Sequence, residues 1–357
     1  MKVLQVIDQL NVGGAERVLV DLANILHRHG KSVTVITLVR PGKLAAQLHP
    51  EIPLLNLGRV NRFSVLKMFR INRICSRYDI VHVHLRYNFR YVALAKILFW
   101  GNYKLLLHDH FGDIENDKAI PTGIKFFLHR NPWFVGVSRP LVDWAVQYIG
   151  LKKENVFLLS NIIIRKEPAP TKRSAPSVPK LLLVSNFREA KNHAFACRLL
   201  SRLRDTLAFT ATFVGQVIDP QFMEGIHKQI REQKLDDIVK VVHDCDDVQG
   251  IIGEYDLAIH TAYQESGPLV LIEYLAQQLP FVAYKTGEVA TQLHAVIPDF
   301  FMENFEVQHW IDRIEGLLSR GDQYKDSMKA AFDAMYSDQV YVGKCIGIYS
   351  RMITNGQ

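Results

Sequence analysis

The sequence predicts an α/β protein of two doubly wound domains, each an open parallel sheet covered by helices, facing each other across a cleft. Three observations carry this. At 357 residues the chain exceeds the usual size of a single hydrophobic core. Apolar strand-like runs alternate with stretches of helical spacing, the pattern of a parallel sheet. That alternation stops once, at 167–179, EPAPTKRSAPSVP, where four prolines in thirteen residues read as a linker, and then restarts. The expected bounds are 1–168 for the first domain, 169–330 for the second, and 331–357 for a helical tail.

The first domain opens with KVLQVI at 2–7, broken by Gly13-Gly14. Val18, Leu19, Leu22, Ile25 and Leu26 then recur at helical spacing, Gly30 closes the helix, and 32–38 is β-branched. Strand, glycine turn, helix and strand make a βαβ unit. Further strands are expected at 52–57, 79–83, 103–107 and 133–137, with helices at 63–77 and 89–99. After the linker, strands are expected at 180–185, 208–215, 238–242, 256–260 and 280–284. Helices fill 191–204, 222–234, 246–253 and 268–277, and 305–355 is mostly helical in pattern.

Composition is globular, 48% apolar and 22% charged, which argues against long disorder. MKVLQVI leads straight into Asp8 and a glycine loop, so it reads as a core strand rather than a leader. No run reaches 18 apolar residues, so no spanning helix is expected. Cys75, Cys197, Cys245 and Cys345 stand too far apart for a zinc knuckle or a redox pair. Reduced thiols in a cytoplasmic protein are the simplest reading. The net charge of +7 is uneven. Residues 1–168 carry 24 Lys and Arg against 12 Asp and Glu, and 59–104 alone carry ten basic residues and one acid. A field of one sign steers anions. In RFSVLKMFRINRICSRY, Phe63, Leu66, Phe69 and Ile74 can share an apolar face flanked by Arg62, Lys67, Arg70, Arg73 and Arg77. Such a helix suits an anionic membrane surface, or the sheet with a solvated basic rim. No recognised nucleic-acid motif accompanies the charge, so nucleic acid is not the expected partner. Nothing in the sequence bears on oligomeric state.

Ligands of doubly wound sheets bind beyond the C-terminal strand ends, so candidates are sought just after strands. Gly13-Gly14 with Glu16 allows a close backbone approach at a helix N-terminus, or is a tight turn that carries no ligand. His82 and His84 close a strand on one face, with Val81 and Val83 on the other. They could be two zinc ligands, but no third is evident, and Arg86 follows within reach of the same edge. His108, Asp109 and His110 are costly to place in a core. A histidine there, His110 ahead of His108, can donate to an oxygen that gains charge. Asp113 and Asp117 have no fixed geometry, and 111–125 reads as a solvated lid. Arg188 and Lys191 follow the first strand of the second domain and suit a diphosphate, or are two surface charges. In DLAIHTAYQESGPLVLIE, 256–273, Glu265 sits in a turn with Ser266, Gly267, Pro268 and Leu269, and Glu273 lies in the helix beyond. Backbone N–H groups here suit phosphate or sugar, and Glu273 can accept both hydrogen bonds of a ribose diol. Thr286, Gly287 and Glu288 would form the rim.

With these residues in place, the chain resembles the retaining, nucleotide-sugar-dependent glycosyltransferases of the GT-B fold, glycosyltransferase family 4, over essentially its whole length. The E-x7-E motif, Glu265 to Glu273 in ESGPLVLIE, is the most specific element. GGAE at 13–16, HVH at 82–84, HDH at 108–110 and SNFREAK at 185–191 support it. The resemblance implies two Rossmann-like domains and a final helix that crosses back to the first. It implies that Glu273 binds the ribose, that Glu265 and the following backbone hold the donor sugar and its phosphate, and that Arg188 and Lys191 neutralise the diphosphate. Gly14 would border the diphosphate, His110 would bond the donor sugar, and Glu16, His84 and Arg86 would lie on the acceptor side. It implies transfer with retention from a nucleoside diphosphate sugar, a UDP-sugar first, without a divalent metal or other cofactor. The acceptor would be a saccharide or a lipid-linked sugar of bacterial surface polysaccharide synthesis. The setting would be the cytoplasmic face of the inner membrane, with peripheral contact through 59–104.

The chain departs from the family pattern at Ser185-Asn186, where Gly-Arg is common, and at Asn161-Ile162, where Asn-Gly is common. It departs again at Gly267-Pro268, where Phe-Gly is common; the proline removes one N–H and stiffens the donor loop. Two other functions fit the same contacts: a sugar-nucleotide epimerase, which needs no acceptor, and a binding protein that transfers nothing.

Overall fold

β-branched and aliphatic runs form two separate parallel sheets. The computed structural model describes all residues except 12, 62–63, 113, 115–116, 121, 131, 168–177, 244, 246 and 355–357. Most of the expected linker, together with Arg62, Phe63 and Asp113, lies outside the described residues. The chain divides into two units, Met1–Ile164 with Ser337–Gln357, and Arg165–Tyr336.

The first unit runs β1 (Lys2–Gln9), α1 (Gly14–Arg28), β2 (Ser32–Arg40), β3 (Leu54–Asn56), α2 (Val65–Cys75), β4 (Ile80–His84) and α3 (Arg86–Leu98). It continues with β5 (Lys104–Asp109), α4 (Thr122–Leu128), β6 (Trp133–Gly136), α5 (Arg139–Asp143) and β7 (Val156–Leu158). Strand order is β3-β2-β1-β4-β5-β6-β7, all parallel. The order reverses between β1 and β4, the switch point where such sheets bind ligands.

The second unit runs β8 (Lys180–Val184), α6 (His193–Leu203), β9 (Thr210–Gly215), α7 (Pro220–Glu232), β10 (Val239–His243), α8 (Val248–Ile252) and β11 (Leu257–His260). Then come α9 (Leu269–Ala276), β12 (Phe281–Tyr284), α10 (Gly287–His294), β13 (Phe301–Met302), α11 (Val307–Arg320) and α12 (Lys325–Met335). Its order is β10-β9-β8-β11-β12-β13, also parallel, with the switch between β8 and β11. Each unit is therefore Rossmann-like.

The last helix, α13 (Asp338–Thr354), belongs to the first unit. Tyr341, Val342, Cys345, Ile348, Tyr349 and Met352 pack with α1 and with Val3 and Ile7 of β1. Leu4 and Val6 of β1 instead face the opposite core, with Val81, Val83, Leu105 and Leu107. Burying a large apolar side chain of this kind stabilises by about 1.5–3 kcal/mol. Arg28 and Asp338 close the rim of this contact at 2.6 Å.

Three expectations change. β5 extends through Asp109, so His108 and Asp109 are buried strand residues and not the loop beyond it. On α2 the buried stripe is Met68, Ile71, Asn72 and Cys75. Leu66 and Phe69, read as part of the apolar face, stand 75% and 47% exposed. Within 111–125, read as a lid, α4 begins at Thr122. The strands β7 and β13, three and two residues long in their paired parts, were too short for local pattern to mark.

Candidate active site

Strand alternation builds the candidate site of the first unit. Side chains two apart share a face, so Gln5, His82, His84 and His108 all lie on the face that α13 covers. Asp109 points to the other. The register sets His84 beside His108 and Gln5 beside His82. His110 continues the same face just past β5, half-buried.

These residues form one hydrogen-bonded network. His84 Nε2 lies 2.8 Å from Gln5 Oε1, and its Nδ1 lies 3.0 Å from His110 Nε2. Gln5 Nε2 donates to the Tyr349 hydroxyl at 3.2 Å. That hydroxyl is 2.7 Å from His82 Nδ1, and His82 Nε2 is 3.0 Å from His108 Nδ1. Burial lowers all four histidines, His82 and His110 to about 3, because a charged imidazolium is poorly solvated here. They are neutral at pH 7. Ring nitrogens of His82, His84 and His108 lie within 4.8 Å of one another, so β5 supplies the third potential metal ligand that the sequence did not reveal. In the geometry present, ring nitrogens of all three bond to one another, to His110, or to Gln5 and Tyr349. Of the ring nitrogens of these three histidines, only His108 Nε2 is buried without a partner among the described residues.

On the opposite face Arg86 is committed to Asp109. Its Nε donates to Asp109 Oδ2 at 2.8 Å, and its guanidinium lies over Phe111 and Trp144. Burial raises the Asp109 carboxyl, with Arg86 opposing the rise. Leu85 joins β4 to α3 at φ 72° and donates its N–H to the His108 carbonyl. A left-handed backbone is strained for a leucine, and it turns the chain sharply beside the histidines. Gly13 caps α1 with an extended backbone and no side-chain cap, Gly14 opens the helix, and the Glu16 carboxylate folds against Gly13. Burial, with Asp8 adding repulsion, raises Glu16 against its own backbone N–H.

The candidate site of the second unit is built where β8 and β11 end. After β8 the chain is extended at Arg188, makes a short turn through Lys191, and enters α6 at Asn192, whose left-handed backbone and side chain cap the helix. Thr261 Oγ1 donates to the Lys191 carbonyl at 3.0 Å, and the Tyr263 N–H to the Ala190 carbonyl at 3.1 Å. These bonds tie the two loops together and bring Lys191 Nζ onto Glu265 Oε1 as a buried ion pair. Burial alone would raise Glu265; Lys191, His260 and Arg188 outweigh it and hold it below the usual range. His260 Nε2 is 3.6 Å from the same oxygen, and burial holds His260 at about 4. Arg188 is exposed beside the pair.

Pro268 caps α9 with no side-chain bond, so the first N–H groups, from Leu269 on, emerge beside Ser266 and Gly267. Glu273 is buried one turn further along α9. Gly287, at φ 80°, presses against the Glu265 carbonyl, and the Glu288 N–H donates to the Ser266 carbonyl at 2.8 Å. Thr286, Gly287 and Glu288 therefore brace the loop from behind.

The structure brings Arg188, Lys191, Glu265, Ser266, Gly267, Pro268, Leu269 and Glu273 together at one edge of the second unit. It joins His84 to His110 in the first, and it ties Arg86 to Asp109 instead. Sequence reasoning missed Gln5, Tyr349 and His260. A glutamine inside the apolar run KVLQVI was the one signal for Gln5; nothing local marked the other two.

The comparisons agree with this architecture. Residues 12–166 match the family model described as Glycosyltransferase Family 4, and residues 165–333 match Glycosyl transferases group 1. N-acetyl-alpha-D-glucosaminyl L-malate synthase of Bacillus anthracis is 21% identical over 347 residues, 91% of this chain and 90% of that protein. A glycosyltransferase from Rickettsia africae superposes with a TM-score of 0.79 at 20% identity, covering 99% of each chain. Anabaena Alr3699/HepE, solved with UDP and glucose, superposes with 0.78 at 17% identity, over 98% of this chain and 99% of that one. With the two family models together spanning residues 12–333 on two Rossmann-like units, the chain belongs to the GT-B-like glycosyltransferases, pairing a family 4 domain with a group 1 domain.

Proposed function

We propose that the protein transfers a sugar from a nucleoside diphosphate sugar, a UDP-sugar first, to an acceptor hydroxyl with retention of anomeric configuration. The observation that carries this is the buried Lys191–Glu265 pair beside exposed Arg188, at the open N-terminus of α9. Two cations and the first N–H groups of α9 suit a leaving diphosphate, whose charge grows as the anomeric bond breaks. Proteins of the same fold, HepE of Anabaena and TarM of S. aureus, have been captured with UDP.

In this reading Glu273 accepts both hydroxyls of the ribose. Arg188 and Lys191 hold the diphosphate, with Gly14 bordering it. Glu265, Ser266 and the N–H groups of Gly267 and Leu269 hold the donor sugar, and Pro268 fixes the loop. His110 bonds the donor sugar, and Glu16 lies toward the acceptor. The bond from the anomeric carbon to the β-phosphate oxygen breaks, and the acceptor oxygen bonds to that carbon from the same face. The acceptor's proton passes to the departing phosphate oxygen.

The acceptor in this proposal is a saccharide or a lipid-linked sugar of surface polysaccharide synthesis, met at an anionic membrane. Val65, Leu66 and Phe69 on α2 are exposed, as is Trp100; the Phe69 ring meets Phe99 edge-on at 5.4 Å, which brings the two segments together. Arg70 and Arg73 on the same helix and Arg77 just after it are exposed too. Apolar wedges among cations suit anionic lipid. No helix among the described residues is long and apolar enough to cross a membrane.

A thermal-shift screen of UDP, GDP and ADP sugars tests the donor, since a ligand bound only to the native state raises Tm. Transfer to a panel of saccharide and lipid-linked acceptors, with the product's anomeric configuration read by NMR, tests the reaction. Failure of every nucleotide to bind, or an inverted product, overturns the proposal. Turnover of the donor sugar without any acceptor favours epimerisation instead. Flotation with phosphatidylglycerol vesicles at low salt, lost in Leu66→Ser/Phe69→Ser, tests the membrane contact.

A further inference from the structure

The hydrogen-bond network behind His110 has a direction, and one side-chain amide sets it. Gln5 presents its carbonyl Oε1 to His84 and its Nε2 to Tyr349. A carbonyl oxygen only accepts. His84 Nε2 must therefore carry a proton, and in a neutral ring Nδ1 must then be bare. That bare nitrogen is 3.0 Å from His110 Nε2, so His110 Nε2 must donate. The run of bonds ends at His110 Nδ1, an unprotonated acceptor that makes no hydrogen bond among the described residues.

We propose that Gln5 and Tyr349 are positioning residues that hold His110 as the neutral Nε2–H tautomer, so that it meets its ligand as a hydrogen-bond acceptor through Nδ1. Tyr349 matters because its hydroxyl, with its proton given to His82 Nδ1 at 2.7 Å, can only accept from Gln5 Nε2. Without that acceptor the amide loses the partner that favours this orientation and can rotate by half a turn. Rotation would place an N–H against His84 Nε2 and reverse both bonds, leaving the proton of His110 on Nδ1. The final helix, through one hydroxyl, thus reaches a residue of the site. The sequence reading had His110 donating to an oxygen that gains charge; this geometry gives it the opposite role. It would accept from a sugar or acceptor hydroxyl, orienting that hydroxyl rather than stabilising an oxyanion.

The role assigned to His110 rests on the proposed transferase reading; its tautomer does not. Nitrogen-15 correlation spectra of histidine-labelled protein at neutral pH, without ligand, distinguish protonated from bare ring nitrogens. A His110→Gln spectrum identifies the signals. Wild type is expected to show His110 protonated at Nε2. Gln5→Met is expected to lose the single tautomer, and Gln5→Glu, which still accepts from His84, to keep it. Tyr349→Phe is expected to show both tautomers. A proton on His110 Nδ1 in wild type, or an unchanged single tautomer in Gln5→Met, overturns the proposal. The wild-type spectrum decides it even if a variant fails to fold. UDP release from UDP-glucose and UDP-N-acetylglucosamine supplies a second reading. A wrong imidazole tautomer is expected to lower kcat at least about tenfold, with less change in KM. If wild type turns over neither, the donor assignment is what fails, and the spectra remain decisive for the network.

Discussion

Two glycines hold backbone atoms closer than any other residue allows. A Cβ on Gly215 would lie 1.9 Å from the Ser185 carbonyl oxygen, where β8 and β9 end. Gly215→Ala must push these strand ends apart, and overpacking of this kind costs about 1–3 kcal/mol; a fall in Tm checks it. Gly287→Ala would bring a Cβ to 2.8 Å from the Glu265 carbonyl at a left-handed φ. Its effect belongs at the proposed donor loop, so nucleotide affinity measured by calorimetry should fall. Lys191→Met leaves the Glu265 carboxylate buried without its main partner, a change that typically costs about 3–5 kcal/mol. The sign of its pH dependence is informative. In wild type the lowered Glu265 contributes stability present above its unfolded value and lost as pH falls through the folded one. In the variant burial dominates and the carboxyl rises, so the deficit in Tm should grow from pH 5 to pH 8.

Single elements carry two roles that local pattern does not separate. α13 covers one face of the first sheet with Tyr341, Ile348 and Met352 while delivering Tyr349 to the histidines. Ile348→Ala should destabilise the first unit by about 2–5 kcal/mol, seen as an earlier unfolding transition in calorimetry, while leaving the His110 tautomer unchanged. On α2 one stripe serves the core and another stays exposed among arginines, because a helix with apolar residues on two sides can bury only one against a single sheet. The sequence showed that this helix was amphipathic. Which stripe was buried depended on the sheet beneath it.

Across the whole molecule, burial of neutral histidines couples stability to pH. His82, His84, His108 and His110 in the first unit, and His193 and His260 in the second, are all lowered by burial. In the unfolded chain each titrates near 6.5, so below that pH the unfolded state binds protons that the native state does not. Stability is then fully present above about pH 6.5 and is lost as pH falls toward the folded values, by about 1.4 kcal/mol per pH unit for each histidine. Tm should drop steeply below pH 6, and His108→Gln should make the drop shallower.

Period-two and helical spacing, glycine turns and a proline-rich break determined the two α/β units, the parallel sheets and most strand positions, because these are local signatures of burial and backbone geometry. The same alternation placed His82 and His84 on one face. The E-x7-E segment and the Arg188–Lys191 pair were legible as charges beside turns. Only the tertiary structure decided which partners those charges meet. Lys191 reaches Glu265 across 74 positions, Tyr349 reaches His82 across 267, and Arg86 is drawn to Asp109. Such pairs follow from strand order and from the return of the last helix to the first unit. A buried polar group is stable only beside its partner, and no local spacing encodes where the fold will bring that partner.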